Sequence, residues 1–331
     1  MSRAVSDTYQ SQAYDRQKKP DVSVLMPTYN RSDSLVKTLQ ALERQSADLH
    51  QFEVVVIDDG STDATRLRQE AFSQSTPLAL LYVRLAENGG PARARNEGLA
   101  RCRGRVVIII GDDIEPAENF VAKHRAFHRL HPGLEWALLG HVCFPEELRG
   151  NAFMHWLETD GRKYFFDYAA LRNGEEAGPL FFYTCNVSVK MELLQQSGWF
   201  DESFPHASHE DLELGYRLAD KGMHLVYDSS VLGVHWHNLT TAGIARRIYL
   251  MGYSADIFWH KVGEQGSLVR RIARNVLART CSLPPMVWLW NRLRIKGYDQ
   301  DTSYPFQWQI LLFLGFFIGL ADSKKNRKIR I

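Results

Sequence analysis

The sequence predicts an α/β fold: a Rossmann-like, mostly parallel sheet flanked by helices, with a helical C-terminal extension. Three observations predict it. Apolar segments of strand length alternate with helix-length segments from Val22 onward. Val106 to Ile110 is an unbroken run of β-branched residues, the pattern of a central strand buried on both faces. Several strand-like segments end in polar or acidic residues, and open parallel sheets bind ligands beyond the carboxyl ends of their strands.

The elements follow in order. The first 20 residues are polar, lack an apolar signal-like core, and read as a flexible extension. Val22 to Met26 is a short strand stopped by Pro27. Thr28-Tyr29-Asn30-Arg31 leads into a helix with Leu35, Leu39 and Leu42 on one face and Ser32 or Asp33 as its cap. Phe52 to Ile57 is a second strand, ending in Asp58-Asp59 and the turn residues Gly60 to Asp63. Leu78 to Arg84 is a third, followed by Asn88-Gly89-Gly90-Pro91 and a basic helix, Ala92 to Arg101. The central strand then ends in Gly111-Asp112-Asp113. Polar loops thus converge at one sheet edge. Adjacent carboxylates repel unless a cation, a proton or donors compensate them, and hard oxygen ligands suit Mg²⁺ or Mn²⁺. Capping of the helix that follows is the plainer explanation of the pair. Neither a Walker-type phosphate loop nor a G-x-G-x-x-G follows the first strand, so a bound diphosphate would need a metal and basic side chains such as Arg93 and Arg95.

Farther along, Trp136 to Val142 is another strand, and His155 to Tyr183 is rich in aromatic residues that serve either as an acceptor wall or as core. Thr184 to Val189 alternates like a strand, and a helix runs to Ser197 with Gly198 as its stop. Glu210-Asp211 opens a further helix, where two acids favour the helix dipole or supply a general base. A short strand over Leu225 to Tyr227 precedes Val231 to His237, which offers His235 and His237 as structural or metal-binding imidazoles. From Thr240 on, arginines and lysines alternate with aliphatic and aromatic residues. The apolar run Phe306 to Leu320 is shorter than the roughly 20 residues of a membrane span, and Lys324 to Arg330 is basic. Such a region suits an anionic membrane surface, or helices packed on the sheet domain or on a second copy.

At 331 residues the chain exceeds the usual single-domain length of about 100–200. It divides into an extension (1–20), a sheet-bearing domain (21–239) and a helical region (240–331). The 45% hydrophobic and 24% charged composition is globular. A net charge of +2 gives no case for a nucleic-acid partner. Four widely spaced cysteines without a C-x-x-C pair fit reduced thiols in a cytoplasm rather than a disulfide framework.

Together these segments resemble family 2 glycosyltransferases. The resemblance rests on Val22 to Arg31, Val54 to Asp63, Gly90 to Gly98, Gly111-Asp-Asp-Ile114, Asn186 to Lys190, Gly198 to Glu202 and Glu210-Asp211, in that order. It implies the glycosyltransferase A fold, a nucleotide-sugar donor (UDP-, dTDP- or GDP-linked), Mg²⁺ or Mn²⁺, and inversion at the anomeric carbon. By the same resemblance Pro27, Thr28 and Tyr29 line the nucleotide pocket, Asp58 binds the base, Arg95 lies near the diphosphate or helps shape its loop, and Asp112, at the end of the aspartate motif, binds the donor. Asp113 is the expected metal ligand, His235 a further contact with His237 as fallback, and Asp211 the base oriented by Glu210. Asn30, Asp59, Gly90 and Asn186 complete the candidate set. Gly111 departs from the motif, which usually begins with Asp. The implied acceptor is a glycan, lipid-linked or protein hydroxyl, and the implied location is the cytoplasm, peripheral to the inner face of the cell membrane. A nucleotidyltransferase, expected to carry a glycine- and lysine-rich first loop, and a non-catalytic scaffold are the alternatives.

Overall fold

The C-terminal ends of three neighbouring strands set the geometry of the molecule. The computed structural model describes residues 4–16, 19–204, 206, 208–263, 268–295, 304–325, 327 and 329. Lys296, Lys328 and Arg330 of the expected basic region lie outside these. The strands are β1 (Val5–Gln10), β2 (Val22–Thr28), β3 (Phe52–Asp58), β4 (Leu80–Leu85), β5 (Val106–Ile110), β6 (Ile114–Pro116), β7 (Trp136–Cys143), β8 (Glu176–Ala177), β9 (Asn186–Lys190) and β10 (His224–His235). They form one sheet in the order β1-β4-β3-β2-β5-β9-β7-β10-β6, with β8 paired to β10.

The β4-β3-β2-β5 half is parallel, as is the β7–β10 pair, whereas β9 runs antiparallel between β5 and β7. The sheet is therefore mixed, because alternation in residues 184–189 marks a strand without giving its direction. β2 does not stop before Pro27. Pro27 pairs with Ile57, and β5 leaves the ladder at Leu25, so no donor is missed at the proline. The segments expected as two late strands form the single β10, irregular between Asp228 and Leu232. Residues 5–10, expected to be a flexible extension, form an antiparallel edge strand on β4, with Tyr9 stacked on Tyr82.

The helices are α1 (Gln12–Arg16), α2 (Ser32–Glu43), α3 (Thr65–Ser75), α4 (Pro91–Leu99), α5 (Phe120–Leu130), α6 (Glu146–Arg149), α7 (Ala152–Glu158), α8 (Met191–Ser197), α9 (Glu210–Asp220), α10 (Thr241–Val262), α11 (Leu268–Cys281), α12 (Pro284–Ile295) and α13 (Pro305–Lys324). α2 buries Leu35, Leu39 and Leu42 as its periodicity requires. It starts without a side-chain cap of its own; instead Ser32 N–H donates to Asp63 across the neighbouring loop, at 3.3 Å. Gly198, at φ 72°, closes α8 in the left-handed conformation.

Two units separate by their internal packing: Met1–Cys143 with Ala169–Glu202 and Leu214–Trp236, and Phe144–Tyr168 with Ser203–Glu213 and His237–Ile331. The expected 21–239 domain thus contributes residues to both. In the second unit, Phe153, Trp156, Tyr249, Trp290, Trp308 and Ile318 share one apolar core. Trp156 and Tyr168 of the aromatic segment are buried, which places them in core rather than on an open wall. α10 and α13 cross closely at Gly252 and Gly319: a Cβ on the first would stand 1.9 Å from Phe316 O, and on the second 2.0 Å from Tyr249 O. α13 extends beyond the apolar run to 20 residues, and among the described residues it is long and apolar enough to cross a membrane by length and composition. Within this unit 56% of its apolar window is buried.

In the first unit a polar relay is sealed under the sheet. Ser188 Oγ lies 2.8 Å from His124 Nδ1 and 2.8 Å from His128 Nε2. Asn186 Oδ1 lies 3.0 Å from His124 Nε2, while its Nδ2 donates to the carbonyls of His141 and Val231 at 3.0 and 2.9 Å. Burial lowers His124 to about 4 and His128 to about 2, so both imidazoles fold neutral. In the unfolded chain they take up protons near pH 6.5. The unfolded state then binds more protons, and stability falls as pH drops from about 6.5 toward 4. The unfolding free energy read from urea titrations should therefore fall between pH 7.5 and 5, by on the order of 2 kcal/mol per histidine at pH 5. Ser188→Ala should cost about 1–3 kcal/mol at pH 7.5, read from the same denaturation curves.

Candidate active site

Asp112 and Asp113 follow β5 directly and are both buried. Asp112 Oδ2 accepts from Thr28 Oγ1 at 2.7 Å, and its backbone carbonyl accepts from Thr38 Oγ1 at 3.1 Å. Arg31 Nη1 bridges the two carboxylates, at 3.1 Å from Asp112 Oδ1 and in close contact with Asp113 Oδ2. Burial lifts Asp112 to about 6, opposed by the pull of Arg31 and reinforced by the charge of Asp113. Arg31 is itself pushed up by its two acids, against the effect of burial.

Antiparallel pairing of β6 with β10 brings the histidines in. Ile114 pairs with His235, and Trp236 N–H donates to Asp113 O at 2.9 Å. His235 Nε2 consequently stands 3.2 Å from Asp113 Oδ2. Ligand atoms of Asp113, His235 and His237 all fall within 4.8 Å of one another. One carboxylate and two imidazoles are a donor set for a borderline divalent ion. Gly111 contributes by its lack of a side chain: a Cβ there would lie 2.9 Å from Asp113 Oδ1.

The neighbouring loops are tied to one another by their own polar residues. Asn30 sits at φ 53°, a left-handed conformation that Asn tolerates. Its Oδ1 accepts from Thr62 N at 2.8 Å, and its N–H donates to Ser61 Oγ at 2.8 Å. Asp58 is fully buried, accepting from Ser61 N at 2.7 Å and from the Tyr82 hydroxyl. Burial, then the Asp58 bond, raises Tyr82. Asp59 accepts from Gly89 N at 2.9 Å and from Gly90 N at 2.7 Å, and burial raises it against those bonds. Gly90 holds φ 89° where α4 begins. The Arg93 side chain lies against Gly89, with its Nε buried and without a hydrogen-bond partner among the described residues. Arg95 lies over the Phe200 ring, 5.2 Å from its centroid.

Among the sequence candidates, Thr28, Asp112, Asp113, His235 and His237 come together, with Pro27 on the strand below and Tyr29 half-exposed beside Asn30. Asp58 and Asp59 shape the adjoining loops. Asn186 lies in the sealed relay, its amide occupied by backbone carbonyls. Glu210 and Asp211 open α9 in the second unit, with Ser208 N–H donating to Glu210 Oε2 at 2.8 Å and Leu212 N–H to Asp211 Oδ1 at 2.8 Å. Beside them His209 stacks on Phe258, and burial lowers it to about 4. Arg31 is the residue that motif reading passed over. The signal for it was a basic side chain in the first loop, facing two acids that need compensation.

Residues 23–133 match the family model described as glycosyl transferase family 2. That segment is therefore a family 2 glycosyltransferase segment. An uncharacterized glycosyltransferase of Bacillus subtilis is 29% identical over 64% of this chain and 64% of its own length. Validoxylamine A glucosyltransferase of Streptomyces hygroscopicus subsp. jinggangensis is 31% identical over 65% of this chain and 55% of its own. The chain thus spans less than two thirds of either relative. Among solved structures, a mannosyltransferase from Pyrobaculum calidifontis in complex with GDP-Man and Mn²⁺ superposes with a TM-score of 0.61 at 21% identity, covering 94% of this chain and 89% of that one. S. aureus TarS 1–349 in complex with UDP gives 0.52 at 18% identity, covering 94% and 93%. These likenesses show the glycosyltransferase A fold.

Removing Arg31 should expose the repulsion that it relieves. Without it the folded state holds a proton on the Asp112–Asp113 pair more tightly than the unfolded chain does, so stability is lost as pH rises. Arg31→Ala should therefore be destabilised by about 1–3 kcal/mol at pH 8 and less at pH 5, measured by urea unfolding at both values.

Proposed function

We propose that this chain is an inverting, cation-dependent family 2 glycosyltransferase. It moves a sugar from a UDP-, dTDP- or GDP-linked donor to a hydroxyl on a glycan, lipid-linked or protein acceptor, in cell-surface glycan, polysaccharide or glycolipid synthesis. The observation that carries the reading is the closure of Asp113, His235 and His237 on one point beside Asp112, at the carboxyl edge of the sheet. GDP-Man and UDP in the fold neighbours' complexes support a nucleotide-linked donor.

Asp113 and His235, with His237, would hold Mg²⁺ or Mn²⁺, and the mixed nitrogen and oxygen donors favour Mn²⁺. A bound ion of this kind supplies charge compensation for the leaving diphosphate. Arg93, with a buried Nε that lacks a partner among the described residues, beside Gly89, fits the same diphosphate. Arg95 acts through Phe200, holding α4 against the loop that follows α8. Pro27, Thr28 and Tyr29 line the nucleotide pocket, and Asp58 acts on the base through the turn it fixes. Asp211, oriented by Glu210, takes the proton from the acceptor hydroxyl as that oxygen attacks the anomeric carbon opposite the departing phosphate. The partners in this reading are the donor, the acceptor, an anionic membrane at the cytoplasmic face, and a second copy of the chain.

A panel of nucleotide sugars, assayed for donor hydrolysis and transfer with and without Mn²⁺, tests the reading. One donor should turn over and lose turnover on chelation; hydrolysis of none would overturn it. Asp113→Asn should weaken Mn²⁺-dependent donor binding at least tenfold by calorimetry. Asp211→Asn should leave donor binding unchanged and slow turnover by roughly 10²–10⁴; full transfer activity would remove Asp211 from the base role.

A further inference from the structure

We propose that the outward faces of α11 and α12 form a docking surface for an anionic lipid bilayer. The sequence over these helices, residues 268–295, holds six arginines and neither aspartate nor glutamate. Both helices rest on α13 and, among the described side chains, bury a narrow inner edge: Ala278 and Cys281 on α11, Trp290 on α12. Their opposite faces would be polar on an ordinary surface helix. Here Ile272 and Val276 are 53% and 54% exposed, one turn apart on α11, with the exposed Arg279 on the same face. Trp288 and Ile295 are 60% and 75% exposed, seven residues apart on α12, with Arg292 between them. The Arg292 guanidinium lies over the Trp288 ring, 5.2 Å from its centroid. Leu283, at the junction of the two helices, is 53% exposed.

This combination selects the occupant. Exposed aliphatic side chains gain nothing from a phosphate backbone but enter hydrocarbon favourably, and an indole at a helix surface suits the headgroup boundary. Arginines alongside them are drawn to anionic headgroups. A second copy docking through the same face would set these arginines against one another, since a twofold contact pairs a surface with itself. α13, though long and apolar, has its glycines committed to α10 and Trp290 inside the unit, so the surface is formed by the helices that cover it. The contact is one of surface docking.

Vesicle binding is read without donor or cation, so its failure leaves the transfer chemistry untouched and the reverse also holds. The chain should sediment with vesicles of phosphatidylcholine and phosphatidylglycerol, and not with phosphatidylcholine alone. Raised salt should weaken binding. Arg279 and Arg292 together changed to Gln should lower affinity about 25-fold, from roughly fivefold per arginine. Trp288→Ser with Ile295→Ser should weaken binding at low salt as well. In the unaltered chain, brominated lipid should quench tryptophan fluorescence, and Trp288→Phe should remove most of that quenching. Equal binding to neutral and anionic vesicles, binding unchanged in both variant sets, or no binding would each overturn the proposal. A dimer dissolved by Trp288→Ser without vesicle binding would overturn it too.

Discussion

Buried negative charge at the carboxyl edge of the sheet is the constraint on which the first unit depends. Asp58, Asp59, Asp112 and Asp113 are all nearly or fully removed from solvent, and a buried carboxylate is tolerated only where donors or a counter-charge meet it. Each is met differently. Asp58 is satisfied by a backbone amide and a phenol, Asp59 by two successive amides at the start of a helix, and Asp112 by a hydroxyl and a guanidinium. Asp113 shares that guanidinium and faces an imidazole. The loops carrying these donors are thereby fixed in place, so the electrostatic requirement and the shape of the site are one problem with one solution.

Arg31 has a particular standing in that solution. It occupies the position between Asp112 and Asp113 where added positive charge is needed, and it is attached by a flexible stem to a loop that Asn30 anchors from the other side. A guanidinium in that position makes the pair tolerable in the free protein. One guanidinium against two carboxylates still leaves a negative charge over, and the His235 imidazole faces it from β10 at 3.2 Å from Asp113 Oδ2.

Much of this was legible in the residues. The β-branched runs, the proline and glycine punctuation and the acids after the strands located the parallel half of the sheet and the edge that matters, because each signal is local and physical. What was not legible depended on partners distant in sequence. The direction of β9 is set by its neighbours rather than by its own alternation. The role of Asn186 follows from two carbonyls some 45 residues away on either side. Arg31 stands out only once β5 is known to lie beside β2. The aromatic segment after β7 was ambiguous because composition does not separate a wall from a core, and burial of Trp156 and Tyr168 decides it for those residues.

The edge strand β1 carries a consequence for anyone shortening the chain. Its backbone covers the outer margin of β4, which is otherwise apolar and fully extended: Leu80, Leu81, Tyr82, Val83 and Leu85 are all buried. A version starting at Asp21 would bare that row of amides and carbonyls together with its hydrocarbon flank, a ready template for another chain to zip onto. The polar, unassuming first residues are thus a guard against self-association, and an affinity tag is safer fused ahead of them than put in their place.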